Sequence, residues 1–347
     1  MSNPENSVSR AIDLITKASP NMKETTKNTY KRMLRKMFAT LRDMGKDMRD
    51  TAGLPLCIYK CDDILNELEN GANWGMGLKP SSKKNYMSLL LSLTKHLEDP
   101  LPYKGYRKAF DVIKSANNAI QELQLPADND LCLKDLKLED LKKDLNYHFK
   151  KVRKTDSVDI ESALLNLLGH LHIDQVLRNE AHNMLLTSNY LSEEDYKDTN
   201  FIWLKGRNEK LMVIRNNKVR NPERGDPAKE VILKGAVNTA INKYKQILTN
   251  KYGTLQDTIP LVDNKHFTNS GCSWDGSENI SSSHYSQVFK KIWKHKDYNI
   301  TTTQLRKIYA MDVRDKYKGN LIKEKEACEK LDHSADTHNK HYILSFD

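Results

Sequence analysis

The chain has 347 residues, 38% of them hydrophobic, with only 14 Gly and 10 Pro. That composition excludes a fibrous or disordered polymer, and at roughly 150 residues per domain the length points to two globular cores. Lys and Arg (56) outnumber Asp and Glu (46), and the formal charge of +10 favours polyanionic partners such as nucleic acid.

Residues 1–20 carry no charged-then-apolar leader and read as an N-terminal tail. From Lys23 to Arg42, Tyr30, Met33, Leu34, Met37, Phe38 and Leu41 recur at helical spacing, with Thr25 and Thr26 as capping candidates. A short helix over Cys61 to Asn70 follows. Glycines and Pro80 then interrupt, and Ser81-Ser82 opens a third helical run with Tyr86, Leu89, Leu90, Leu93 and Leu97 in register. A fourth spans Gly105 to Leu123. The segment 21–125 therefore reads as a small all-helical bundle. Its basic residues Lys27, Lys31, Arg35, Lys83 and Lys84 are candidates for phosphate contact in a chain of this charge.

The polar stretch Pro126 to Asp130 marks a linker over 126–134, with a second domain over 135–347. Helices are expected over Leu136 to Val152, Ser157 to Leu171 and His172 to Leu186. The period then changes: Asn200 to Lys205, Lys210 to Asn216 and Glu230 to Leu233 are short β-rich runs that predict a three-stranded antiparallel sheet. Helices are read over Ala236 to Lys251, His284 to His295, Thr303 to Tyr317 and Asn320 to Lys330, with a short helical run ending at Tyr342. The class expected is mainly α with a small antiparallel β-sheet, α+β overall. No apolar run approaches the ~18 residues of a membrane span, so a soluble intracellular protein without a membrane partner is expected.

The informative feature of the second half is the order of its polar residues. VLRNEAHNML carries Arg178, the turn IRNNKVRNPERGDPAKEVIL carries Lys218, TTTQLRKIY carries Arg306, and LDHSADTHNKHY carries His333 and Tyr342. Arg, a hairpin Lys, Arg, His and Tyr in this order resemble the tyrosine recombinase and integrase family, and the resemblance runs from about residue 20 onward. It implies a helical, SAM-like core-binding domain and a catalytic domain closing as a C-shaped clamp on double-stranded DNA, in a homotetramer on DNA. It implies site-specific DNA recombination or integration with a virus or mobile element as the source, acting at DNA in a host nucleus or cytoplasm. The matching positions assign Arg178 and Arg306 as the two arginines, Lys218 as the hairpin lysine, His333 as the late histidine and Tyr342 as the nucleophile.

The chemistry explains those residue types. Attack at phosphorus builds charge on the nonbridging oxygens, and two guanidinium forks match that geometry while staying charged at any working pH. A lysine on a hairpin can protonate the leaving 5′ oxygen. A phenol is a weak nucleophile that cationic neighbours favour as phenolate, and the 3′-phosphotyrosyl bond keeps the energy for rejoining, so neither metal nor ATP is implied. A histidine can hold the phosphate by a hydrogen bond. One position departs from the family: the usual histidine three residues before the second arginine is Thr303, which can bond a phosphate but cannot act as a base near neutral pH. That keeps open the reading of a DNA-binding protein with weakened catalysis, and the shared phosphotyrosine step keeps open a type IB topoisomerase.

Overall fold

In a computed structural model the chain is described over residues 4–22, 24–46, 49, 54–70, 78, 80–95, 97, 99–122, 128–154, 159–217, 219–220, 225–263, 280–333 and 342–343. Its contacts divide it into two compact units, Met1–Leu123 and Gln124–Asp347.

The first unit is helical: α1 (Pro4–Ala18), α2 (Glu24–Asp43), α3 (Cys61–Asn70), α4 (Pro80–Thr94) and α5 (Leu101–Glu122). The segment read as a tail is thus mostly a helix. Val8, Ala11, Ile12 and Ile15 fall at helical spacing and are buried with Leu34, Met37, Phe38 and Leu41 of α2. Glu5 in its first turn suits the positive end of the helix dipole. Pro80 opens α4, where its missing N–H has no partner to lose. Tyr106 of α5 is fully buried and donates to the Ile58 carbonyl at 2.9 Å, which settles its one polar atom.

The second unit is built around α8 (Ile160–Gln175), buried along almost its whole length. The side chain of Asp159 caps it by accepting from Ser162 N at 2.7 Å. Around it pack α6 (Leu138–His148), α7 (Lys150–Lys154), α9 (Gly235–Tyr252), α10 (Ser282–Lys290) and α11 (Thr302–Lys316), with α12 (Leu321–Lys330) against α11. Part of the expected linker belongs to this unit: a 3-10 turn over Asp128–Leu133 buries Leu133 and pairs Asp130 with Lys307 of α11.

The sheet holds the expected three-stranded antiparallel run and extends it by two strands, one of them paired in parallel. Five strands, β1 (Leu185–Thr187), β2 (Phe201–Trp203), β3 (Lys210–Ile214), β4 (Lys229–Leu233) and β5 (Thr258–Pro260), stand in the order β4-β3-β2-β1-β5. β1 pairs with β2 in parallel, and the other neighbours are antiparallel. Leu186, Ile202 and Met212 enter the main core, while Phe201 and Val213 face the opposite side with Leu191 of the β1–β2 crossover. Arg215, only 2% exposed, clamps that crossover by donating to the carbonyls of Leu191, Ser192 and Tyr196 at 2.7, 2.9 and 3.0 Å.

The helix expected over 172–186 is also corrected. α8 stops at Gln175, Val176 turns left-handed at φ 51°, a 3-10 turn covers Glu180–Asn183, and β1 follows. The described residues form a mostly helical α+β protein with one small mixed sheet. None of its helices is long and apolar enough to cross a membrane.

Candidate active site

The turn after α8 begins the site. Val176 is β-branched, 1% exposed and left-handed, a combination that costs of order 1–3 kcal/mol and survives only where neighbours hold it. Its N–H bonds the His172 carbonyl, and its own carbonyl accepts from Arg306 Nη1 at 2.6 Å. This turn swings Arg178 off the end of the helix.

Arg306 comes from the second turn of α11, whose start is fixed by a capping box between Thr301 and Gln304. The residue is 3% exposed, and each guanidinium nitrogen makes one hydrogen bond. Nη1 bonds Val176, Nη2 donates to the Leu331 carbonyl, and Nε donates to the Tyr342 hydroxyl at 3.2 Å. The Arg306 guanidinium carbon stands 5.2 Å from the Tyr342 ring centroid, and the His333 ring stacks on that tyrosine at 4.6 Å. Burial lowers the Arg306 pKa from the ordinary arginine range; Tyr342 opposes that, and the Arg178 cation adds to it.

Arg178 is partly exposed. Its Nη2 donates to the Asp332 carbonyl at 3.4 Å, and Nη1 lies 4.0 Å from Glu180 Oε1. Buried Nη1 has no hydrogen-bond partner among the described residues, nor has Glu180 Oε2. A guanidinium N–H buried without an acceptor is costly unless something anionic takes it. Glu180, two places after Arg178, also acts on Arg306, so it sits against both cations.

Behind the arginines lies a buried layer. His172 is fully buried and shares a 2.6 Å hydrogen bond with the Tyr285 hydroxyl, its ring 4.6 Å from Phe289. Burial, with a smaller contribution from the Arg306 cation, pushes its pKa down to about 3, so the imidazole is neutral. Burial, reinforced by Glu180, pushes the Tyr285 hydroxyl well above the usual phenol range. Asn179 knits the elements: it donates to Ser282 and Ser286 of α10 at 2.9 and 3.1 Å and accepts from Thr302 of α11 at 2.8 Å.

Arg178, Arg306, His333 and Tyr342 are therefore brought together. Thr303 is exposed on the first turn of α11, and its neighbour Thr302 makes the contact to the Arg178 loop. Lys218 lies outside the described residues, as does the whole segment 334–341 between His333 and Tyr342, with the short helical run expected there. Of the other cations near this hairpin, Lys205 pairs with Glu209, and Lys210 donates to the carbonyls of Gly206 and Arg207 at the far end of β3. Arg220 instead reaches Asp332.

In the first unit, Lys27, Lys31 and Arg35 follow one another at four-residue steps along α2, and Lys83 and Lys84 open α4. Arg35 is held by Glu5 of α1 at 2.8 and 3.0 Å, Lys27 and Lys31 lie 3.9 and 3.7 Å from Glu24, and Lys83 donates to the Glu69 carbonyl.

The sequence leaves Tyr285, Asn179 and Asp332 without a signal and reads His172 as a packing or surface residue, whereas Glu180 is legible as a structural partner from its place two residues after Arg178. The class these observations define is an α+β protein with a two-arginine, histidine and tyrosine cluster. No protein-family model matches the chain, and neither does any curated protein or solved structure.

Proposed function

We propose that the protein is a DNA strand transferase of the tyrosine recombinase type, a site-specific recombinase or integrase. The observation that carries this reading is the Tyr342 hydroxyl on Arg306 Nε at 3.2 Å, beside a second arginine with a buried, unpartnered N–H and a histidine stacked on the phenol. A phosphate entering the cluster would find donors on Arg178 and Arg306 for its nonbridging oxygens. Tyr342 Oη, its proton released to solvent, would bond to phosphorus as the P–O5′ bond breaks, the departing 5′ oxygen taking a proton from Lys218. The product is a 3′-phosphotyrosyl link, and attack by a 5′-hydroxyl reverses the step. His333 would hold the phosphate during both.

The helical unit and the catalytic unit would clasp double-stranded DNA as a C-shaped clamp, four copies assembling on two sites, in whichever compartment holds the DNA. Thr303 favours a second reading, a DNA-binding protein with weakened catalysis, because an exposed threonine replaces the family's histidine. A duplex nicked just beyond the cleavage point traps the covalent product. The expected result is a protein–DNA adduct with the wild type and none with Tyr342→Phe. Binding without any adduct selects the weakened reading, and relaxation of supercoiled DNA without sequence preference selects a type IB topoisomerase.

A further inference from the structure

Asp332 lies between α12 and His333, with φ 50°, in the left-handed region that a residue with a Cβ occupies only under constraint. Its side chain is 9% exposed and collects donors from the β3–β4 hairpin. Arg220 Nη1 and Lys229 Nζ reach Oδ1 at 2.9 and 3.2 Å, and Asn217 Nδ2 reaches Oδ2 at 3.3 Å. Two cations around one shielded carboxylate offset the penalty of removing it from water, and removing the carboxylate leaves them opposed. The Asp332 carbonyl meanwhile accepts from Arg178, and the next residue is the histidine stacked on Tyr342.

Asn217 organises the turn it belongs to. Its Oδ1 accepts from the N–H groups of Val219 and Arg220, both at 2.8 Å, and its own N–H donates to the Arg220 carbonyl at 3.0 Å. The residues on either side of Lys218 in the chain are therefore fastened, through one carboxylate, to the backbone that carries His333.

We propose that Asp332 is a positioning residue that latches the β3–β4 hairpin, the element to which the strand-transfer reading assigns the leaving-group acid, to the His333 segment. The role of Lys218 rests on the strand-transfer reading; the latch itself rests on the contacts of Asp332.

Asp332→Gly removes the carboxylate and leaves the left-handed backbone at ease. Two measurements on the full chain test it. Without DNA, amide exchange at Asn217, Val219 and Arg220 is expected to accelerate by about tenfold or more, with the amides of α8 unchanged. On nicked duplexes, adduct formation by Asp332→Gly is expected to slow about tenfold when the leaving atom is a 5′ oxygen, and hardly at all when it is a 5′ sulfur, which departs without a proton. Unchanged exchange in the hairpin overturns the latch. Equal slowing on both duplexes overturns its action through the leaving-group acid. Absence of a wild-type adduct on either duplex overturns the strand-transfer reading and the role given to Lys218, while the exchange measurement still decides the latch, so the two failures are distinguishable.

Discussion

Acidification should weaken the second unit through one buried imidazole. His172 has an ordinary pKa of 6.5 when exposed and about 3 when folded, because burial beside Arg306 disfavours its cation. The unfolded chain therefore takes up a proton at this residue below pH 6.5 that the folded chain refuses until about 3. The stability linked to His172 is present in full above the upper value and is lost as pH falls through the window. Each pH unit inside the window removes up to about 1.4 kcal/mol. Between pH 8 and pH 5 the loss is about 2 kcal/mol, and it reaches about 4 kcal/mol at pH 3. Against a domain stability of roughly 5–15 kcal/mol, that is a large fraction. Urea unfolding at pH 8, 7, 6 and 5, followed by the fluorescence of the fully buried Trp293, measures it. His172→Gln can still bond Tyr285 but does not titrate, so its stability should fall less by about 2 kcal/mol over the same range. Parallel curves for the two proteins would refute the assignment.

Two further outcomes follow from packing and hydrogen bonds. Arg306→Leu strips the carbonyls of buried Val176 and Leu331 of their donor; each orphaned acceptor costs about 1–3 kcal/mol and the lost charge burial returns part of it, so a net loss of about 2–4 kcal/mol is expected in urea unfolding without DNA. Gly169→Ala would place its Cβ 2.5 Å from Leu145 Cδ1 and 3.3 Å from Ile292 Cγ2, with both neighbours fully buried, so overpacking should lower stability by about 1–3 kcal/mol; an unchanged midpoint would mean that α6 moves aside freely.

The helices that carry a clear apolar stripe were legible from residues alone. α2, α9 and α11 appear within a residue or so of their expected limits because Met37, Phe38 and Leu41, or Ile241, Tyr244 and Leu248, recur at helical spacing. α1 carries the same signal in Val8, Ala11, Ile12 and Ile15. Strands β1 and β5 were not legible: three residues are too few for an alternation, and their partners lie far along the chain. The end of α8 was hidden because a valine, and no glycine or proline, makes the left-handed turn. At the site, the order of Arg178, Arg306, His333 and Tyr342 could be read, since resemblance works along the chain. Asp332 could not, because its importance lies in partners more than a hundred positions away and in a backbone angle that no residue type announces.

The left-handed valine at 176 has a consequence for substitution at that position. Glycine there would relieve about 1–3 kcal/mol of backbone strain, yet it would forfeit about 1.5–3 kcal/mol of apolar burial in the small cluster formed with Ala310, Leu331 and Ile343. The two demands nearly cancel in overall stability. They differ in what they leave behind: the strained residue gives the aromatic ring of Tyr342 a solid floor, and a relaxed one would let that floor give way.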